Sequence, residues 1–237
     1  MAVPIMGHYE NAWQAVLRRV AAAAQACGRT PESVHLLAVS KTFPADAIRA
    51  VYEAGQRAFG ENYVQEAAAK RAALADLTDV SWHLIGPLQS NKTAQAAAFD
   101  WVESVDRLKI AQRLSAQRDA GLPPLSVCIE VNVSGESSKS GVAPGEAVAL
   151  AKSVAALPNL RVRGIMGIPA PATDPEAARA QFRALAGCFS ACRDAGLAVD
   201  TLSMGMSADL ELAIEEGATQ VRVGTAIFGV RQGQDRP

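Results

Sequence analysis

The sequence predicts an α/β fold, a single (β/α)8 TIM barrel over residues 1–237 with an extra helix ahead of the first strand. Three observations carry that expectation. Eight short apolar runs recur along the chain, each followed by a segment of helical periodicity. The 237 residues match the roughly 250 that such a barrel needs. No Pro/Gly/Ser-rich linker interrupts the alternation, so no domain boundary is placed. The alternative is an open doubly wound sheet, but its first strand-to-helix turn normally carries a glycine fingerprint, and Ser40 to Pro44 contains no glycine.

Taken in order, Tyr9 to Cys27 carries Trp13, Val16, Leu17 and Val20 at helical spacing and is stopped by Gly28. Leu36 to Lys41 is the first strand, with four consecutive apolar residues that fit burial on both faces. Pro44 opens the helix Ala45 to Glu53, which Gly55 closes. Ala58 to Gly60 is a very short strand before a helix from Tyr63 to Leu77, and Val80 to Ile85 is the third strand, ended by Gly86-Pro87. Ser90 or Asn91 is placed to cap a helix that runs to Ala98. Trp101 to Ser104 is the fourth strand, and Asp106 sits at the cap position before Leu108 to Ala120. Leu125 to Val133 is the fifth, followed by a polar loop, Ser134 to Ser140, and a helix opened by Pro144. Val162 to Ile168, Thr201 to Ser203 and Gln220 to Val223 complete the eight, with helices at Glu176 to Ala195 and Ala208 to Glu216.

Barrel sites are built from loops at the C-terminal ends of the strands, and the polar candidates fall there. Lys41 ends the first strand, Asn62 follows the second, Ser203 to Ser207 follows the seventh and Gly224-Thr225 the eighth. A lysine against apolar surroundings spends more time as the neutral amine and can attack an aldehyde or ketone. Taken alone, Lys41 reads better as a snorkelling side chain whose stem covers apolar surface while its head reaches water. The last two loops suit an oxyanion, because glycines let the backbone approach and N–H groups at a helix start point at it. Individually, Ser207 is also an ordinary cap and Gly224 an ordinary turn glycine. Arg222, between Val221 and Val223, projects to the face opposite those valines and needs either a ligand acceptor or a carboxylate such as Glu103 or Glu130. His83 lies inside the third strand as a ligand neighbour or a hydrogen-bonded core residue. Lys139 is a possible second amine in a solvated loop. Met166, Met204 and Met206 are packing residues, or the walls of a flat pocket.

With 23 basic and 24 acidic residues, the charge balance gives no electrostatic reason to expect nucleic acid or an anionic membrane as partner. The N-terminus lacks the features of a secretory signal and no apolar run approaches a membrane span, so a soluble cytoplasmic protein is expected. Cys188 and Cys192 lie four apart with no nearby histidine and read as core thiols rather than metal ligands.

Several stretches point together to one family: Ala38-Val39-Ser40-Lys41-Thr42, Phe59-Gly60-Glu61-Asn62-Tyr63-Val64-Gln65-Glu66, Trp82 to Lys92, Ser138-Lys139-Ser140-Gly141, Leu202 to Ser207 and Arg222 to Gly229. In these the chain resembles the pyridoxal phosphate homeostasis protein family, related to the N-terminal domain of alanine racemase. The resemblance implies a fold-type III barrel holding pyridoxal 5'-phosphate as an internal aldimine. It implies Lys41 as the Schiff-base residue, Ser207, Gly224 and Thr225 at the phosphate and Arg222 at the pyridine nitrogen. Asn62, His83, Met166, Ser203 and Met204 would line the pocket. Members keep the reactive aldehyde low and balance vitamin B6 and amino-acid pools, without an established catalytic reaction.

A protonated arginine at the pyridine nitrogen keeps that nitrogen largely unprotonated and makes the cofactor a weaker electron sink. Racemases of this kind add a second acid/base, a tyrosine from another domain and subunit, which is not expected here; of Tyr9, Tyr52 and Tyr63 only Tyr63, next to a barrel loop, is a candidate for that role, and its ring is expected instead to pack helix against barrel. The leading expectation is therefore a monomeric binding and carrier protein that releases pyridoxal phosphate by transimination, with PLP-dependent apo-enzymes as recipients. The alternatives are a small PLP-dependent amino-acid racemase and a Schiff-base lyase of the aldolase kind.

Overall fold

The computed structural model describes residues 3–136, 139–172 and 174–230, with side chains from residue 7. Eight parallel strands close on themselves in sequential order. They are β1 (His35–Val39), β2 (Ala58–Glu61), β3 (Ser81–Leu84), β4 (Trp101–Val105), β5 (Leu125–Glu130), β6 (Leu160–Met166), β7 (Thr201–Ser203) and β8 (Gln220–Val223). Closure comes from β1 pairing with β8, from His35↔Gln220 to Ala38↔Val223. A closed sheet excludes the doubly wound alternative.

The helices are α1 (Val3–Ala26), α2 (Ala45–Glu53), α3 (Val64–Ala73), α4 (Thr93–Ala96), α5 (Leu108–Gln117), α6 (Ala147–Ala155), α7 (Pro175–Asp194), α8 (Leu210–Glu215) and α9 (Thr225–Phe228). α1 starts well before its periodic stripe, because Pro4 falls in the first turn, where the missing N–H has no intrahelical partner to lose. Ser90–Lys92 form a 3₁₀ turn rather than capping a long helix, and α4 is short because Phe99 turns into the core. Asp106 does not cap α5: Arg107 occupies that position and its guanidinium pairs with the Asp106 carboxylate.

Alternation along each strand divides the side chains into two sets. Leu36, Ala38, Phe59, Val127, Ile129, Val131, Leu202, Val221 and Val223 face outward into one apolar shell shared with the helices. Leu37, Val39 and Ile85 form a small separate cluster inside the barrel. Gly164 lets β6 and β7 approach: a Cβ there would lie 1.7 Å from the Thr201 carbonyl oxygen. Cys188 and Cys192 are buried in the shell beneath α7, as expected of core thiols, and among the described residues no group of His, Cys, Asp and Glu is arranged to hold a metal. No described helix is long and apolar enough to cross a membrane. Tyr63 is 61 % exposed, so it does not wedge α3 against the barrel; it stands at the cap position of α3 and leaves packing to Val64 and Ala67.

Candidate functional site

A cavity of about 520 Å³ opens at the C-terminal mouth of the barrel. Its walls come from strand ends far apart in sequence: Lys41 after β1, Asn62 after β2, Glu130 at the end of β5, Ser207 after β7, Arg222 within β8 and Gly224-Thr225 after it. Lys139 also reaches the rim, 3.7 Å from Glu136. Three cationic side chains thus face one space, and Glu130 is the single acidic residue among its lining.

The backbone around Lys41 is fixed from behind. Ser40 faces outward, and its Oγ donates to Glu61 Oε1 at 2.6 Å. Lys70 of α3, 6 % exposed, donates to the Ser40 carbonyl at 2.8 Å, to Glu61 Oε1 at 2.8 Å and to Glu66 Oε1 at 2.7 Å. Glu66 in turn accepts the Thr42 N–H, and Thr42 is held at φ 69°, a left-handed conformation that a β-branched residue adopts only under constraint. Burial raises the Glu61 carboxyl above its ordinary range, against the charge and hydrogen bond of Lys70. The residue that presents Lys41 to the cavity is therefore gripped by an ion cluster on the other side of the sheet.

The two loops opposite are built for close approach. Gly205 has φ 88°, and a Cβ there would lie 2.5 Å from Ala213 Cβ; its carbonyl accepts the Arg222 N–H at 3.0 Å. Ser207 Oγ accepts the Ala226 N–H at 3.3 Å, so the β7 and β8 loops are tied directly to each other. Arg19 of α1 donates to the Ser207 carbonyl and pairs with Glu211 at 2.7 Å. On the β3 side, Gly86 rests on Asn62: a Cβ would lie 2.3 Å from the Asn62 carbonyl oxygen. Gly86→Ala should force Asn62 off the rim at a cost of about 1–3 kcal/mol, read as a lowered midpoint in urea unfolding.

Residues 12–232 match the family model described as alanine racemase, N-terminal domain. The pyridoxal phosphate homeostasis protein of Pseudomonas aeruginosa is 61 % identical over 217 residues, covering 91 % of this chain and 93 % of the relative. The chain belongs to the pyridoxal phosphate homeostasis protein family. The homeostasis protein of Escherichia coli K12 is 52 % identical over 216 residues, covering 90 % of this chain and 92 % of its own. PipY of Synechococcus elongatus, solved with PLP bound, is 40 % identical with a TM-score of 0.79, covering 89 % of this chain and 100 % of that structure. Alanine racemase of Corynebacterium glutamicum, at 20 % identity and TM-score 0.67, covers 92 % of this chain and 62 % of that one and shares the fold.

Not every residue singled out from the sequence reaches the cavity of this family member. His83, Met166, Ser203 and Met204 are absent from its lining. Met204 belongs to the outer shell, on the same side of β7 as Leu202. Met166 is fully buried at the end of β6, where alternation with outward-facing Ile165 turns it into the barrel. His83 pairs in register with Gly60 and with Trp101, the first residue of β4, which sets it low in the barrel; its ring stacks on Trp101 at 4.9 Å.

Below the cavity these residues form a polar column. His83 Nδ1–H donates to Glu103 Oε1 at 2.7 Å, and Gln220 Nε2 donates to the same oxygen at 2.7 Å. Ser203 Oγ donates to Glu103 Oε2 at 2.6 Å and accepts from Arg222 Nη1 at 2.7 Å; Arg222 Nη2 donates to the Gly167 carbonyl at 2.9 Å. Burial pushes the Glu103 carboxyl up, yet the His83 hydrogen bond, the His83 and Arg222 charges and the Ser203 hydroxyl hold it below its ordinary value. Burial pulls Arg222 down from its usual range, opposed by Glu103 and Glu130. Ser203 thus orients Arg222 from beneath. Glu103 and Glu130 enter the sequence reading only as salt-bridge partners for Arg222; their visible signal is a carboxylate inside an apolar strand.

Proposed function

We propose that this protein holds pyridoxal 5'-phosphate in the C-terminal mouth of the barrel and hands it on to amines, acting in PLP homeostasis rather than as a robust catalyst. The observation that carries this reading is the convergence of Lys41, Arg222 and the linked Ser207 and Gly224-Thr225 loops on one cavity. The residues suit the group: cations face an anionic ligand, and a Cβ at Gly224 would come within 3.1 Å of the Val39 carbonyl oxygen, so a bare backbone is needed where the loop leaves β8. That relatives carry the homeostasis name, and that PipY is solved with PLP bound, supports the same assignment.

In this reading Lys41 supplies the Schiff-base nitrogen, Ser207, Gly224 and Thr225 hold the phosphate, and Arg222 meets the pyridine nitrogen, with Asn62 at the rim. His83 and Ser203 act through Arg222 instead of touching the ligand, Met166 packs inside the barrel beneath it, and Met204 packs in the outer shell. When bound, the cofactor supplies an aldehyde carbon that a second amine can take over. Arg222, fixed by Ser203 and the Gly167 carbonyl, does not deliver a proton to the ring nitrogen, which disfavours carbanion chemistry. Release is by transimination to an incoming amine, including those of PLP-dependent apo-enzymes, and the protein is taken to act as a cytoplasmic monomer.

Borohydride reduction of the protein mixed with PLP, followed by peptide mass mapping, should place a phosphopyridoxyl group on Lys41 and abolish the visible absorption band. Lys41→Ala should show neither the band nor the adduct. An adduct on Lys139 alone would reject the assignment. Light scattering checks the monomer.

A further inference from the structure

Glu130 has no part in the assignment above, and its surroundings call for one. Alternation on β5 sends Ile129 and Val131 into the outer shell and Glu130 into the barrel, where it lines the cavity at 6 % exposure. Its Oε2 is buried with no hydrogen-bond partner. Arg222 does not relieve it, because both guanidinium Nη atoms are committed to Ser203 and the Gly167 carbonyl. An orphaned buried carboxylate is destabilising, and in a cavity meant for a phosphate ester it also repels the ligand. Such a carboxylate is relieved either by taking up a proton or by meeting a cation.

The order of the barrel says where that cation sits. β5 lies across the barrel from β1, while the two anion-gripping loops follow β7 and β8, next to β1. A ligand anchored on Lys41, Ser207 and Gly224-Thr225 fills the β7–β8–β1 side and leaves the Glu130 side of the mouth for a second molecule. We propose that Glu130 recognises and deprotonates the incoming amine, so that the second ligand of this cavity is a primary amine arriving as its ammonium ion.

This rests on the PLP reading. The ammonium nitrogen gives one proton to the Glu130 carboxylate, leaving a neutral amine and a carboxylic acid. The incoming nitrogen then bonds to the aldehyde-derived carbon and passes a second proton to Lys41 Nζ; the carbon–Nζ bond breaks as the new carbon–nitrogen double bond forms, and the departing lysine amine takes the proton that Glu130 held. Nothing is oxidised or reduced. The charged groups around Glu130 are Arg222 from β8 and Asp106 after β4, with Lys41 and Lys139 lining the same space. Burial first, then Asp106, push its carboxyl up to about 7 against the pull of Arg222, which suits a group that takes and returns a proton near neutrality.

The test compares wild type and Glu130→Gln, both loaded with PLP, using methylamine, which arrives as a cation, and hydroxylamine, which arrives neutral. Glu130→Gln should bind PLP at least as tightly as wild type and release it to hydroxylamine at the wild-type rate, but to methylamine about a hundredfold more slowly. Equal methylamine rates, or equal slowing with both reagents, would overturn the proposal, as would a weakened PLP Kd without a methylamine-specific effect, which makes Glu130 a cofactor contact. If wild type takes up no PLP, the underlying assignment fails instead. In the protein without cofactor, wild-type thermal stability should decline as pH rises from 4.5 through about 7, since a raised folded-state pKa contributes stability only while the group is protonated. Glu130→Gln should lack that decline; an identical profile would mean that Glu130 does not titrate as the proposal requires.

Discussion

Lys70→Met should lower stability by about 3–5 kcal/mol at neutral pH, read from urea unfolding, and weaken PLP binding although residue 70 does not line the cavity. The side chain is the only cation paired with Glu61 among the described residues, and Glu61 is fully buried with one oxygen already unpartnered. Removing the ammonium leaves an uncompensated carboxylate that must protonate for the chain to stay folded. The sign follows: in the variant Glu61 titrates still higher, so the deficit is small in acid and grows as pH rises through the new folded-state pKa. Binding suffers by a separate route. Lys70 holds the Ser40 carbonyl and Glu66 holds the Thr42 N–H, so loss of the cluster frees both flanks of Lys41. A deficit independent of pH, or unaltered PLP affinity, would show that the cluster does not position the lysine.

Glu103→Ala should be comparably damaging, about 3–5 kcal/mol, because it strands Arg222 as a buried cation and leaves His83, Gln220 and Ser203 donors without their acceptor. Pairing it with Arg222→Leu should recover a large share of the loss, since the double variant buries neither charge. Simple additivity of the two single losses in a double-mutant cycle would refute the coupling. If Arg222 meets the cofactor as proposed above, Glu103→Ala should also raise the Kd for PLP, because Ser203 loses the acceptor that turns its oxygen toward the guanidinium.

The strands were legible because a parallel sheet covered by helices on its outer face demands short, continuous apolar runs. Lys41, Asn62, Ser207, Gly224 and Thr225 were legible for a related reason: a polar residue just beyond such a run stands at a barrel mouth, while Arg222 showed as a charge between two strand valines. Depth and parity were not. Thr201–Ser203 is too short to reveal which face Met204 takes, and the low position of His83 follows from its register with Trp101, which pattern alone does not encode. The Asp106 cap failed because a neighbouring guanidinium competes for its carboxylate. Glu130 shows in sequence as a charge in an apolar strand, but its orphaned oxygen emerges only when Arg222 is seen to be engaged elsewhere.

α1 stands outside the eightfold repeat, yet Arg19 clasps Glu211 and the Ser207 carbonyl, and Tyr9 lies against Phe228 beside α9. α1 is thus a brace for the loops that follow β7 and β8. If those loops hold an anion as proposed above, their grip depends on a helix none of whose described residues forms the cavity wall, and undocking α1 should loosen it without touching the lining.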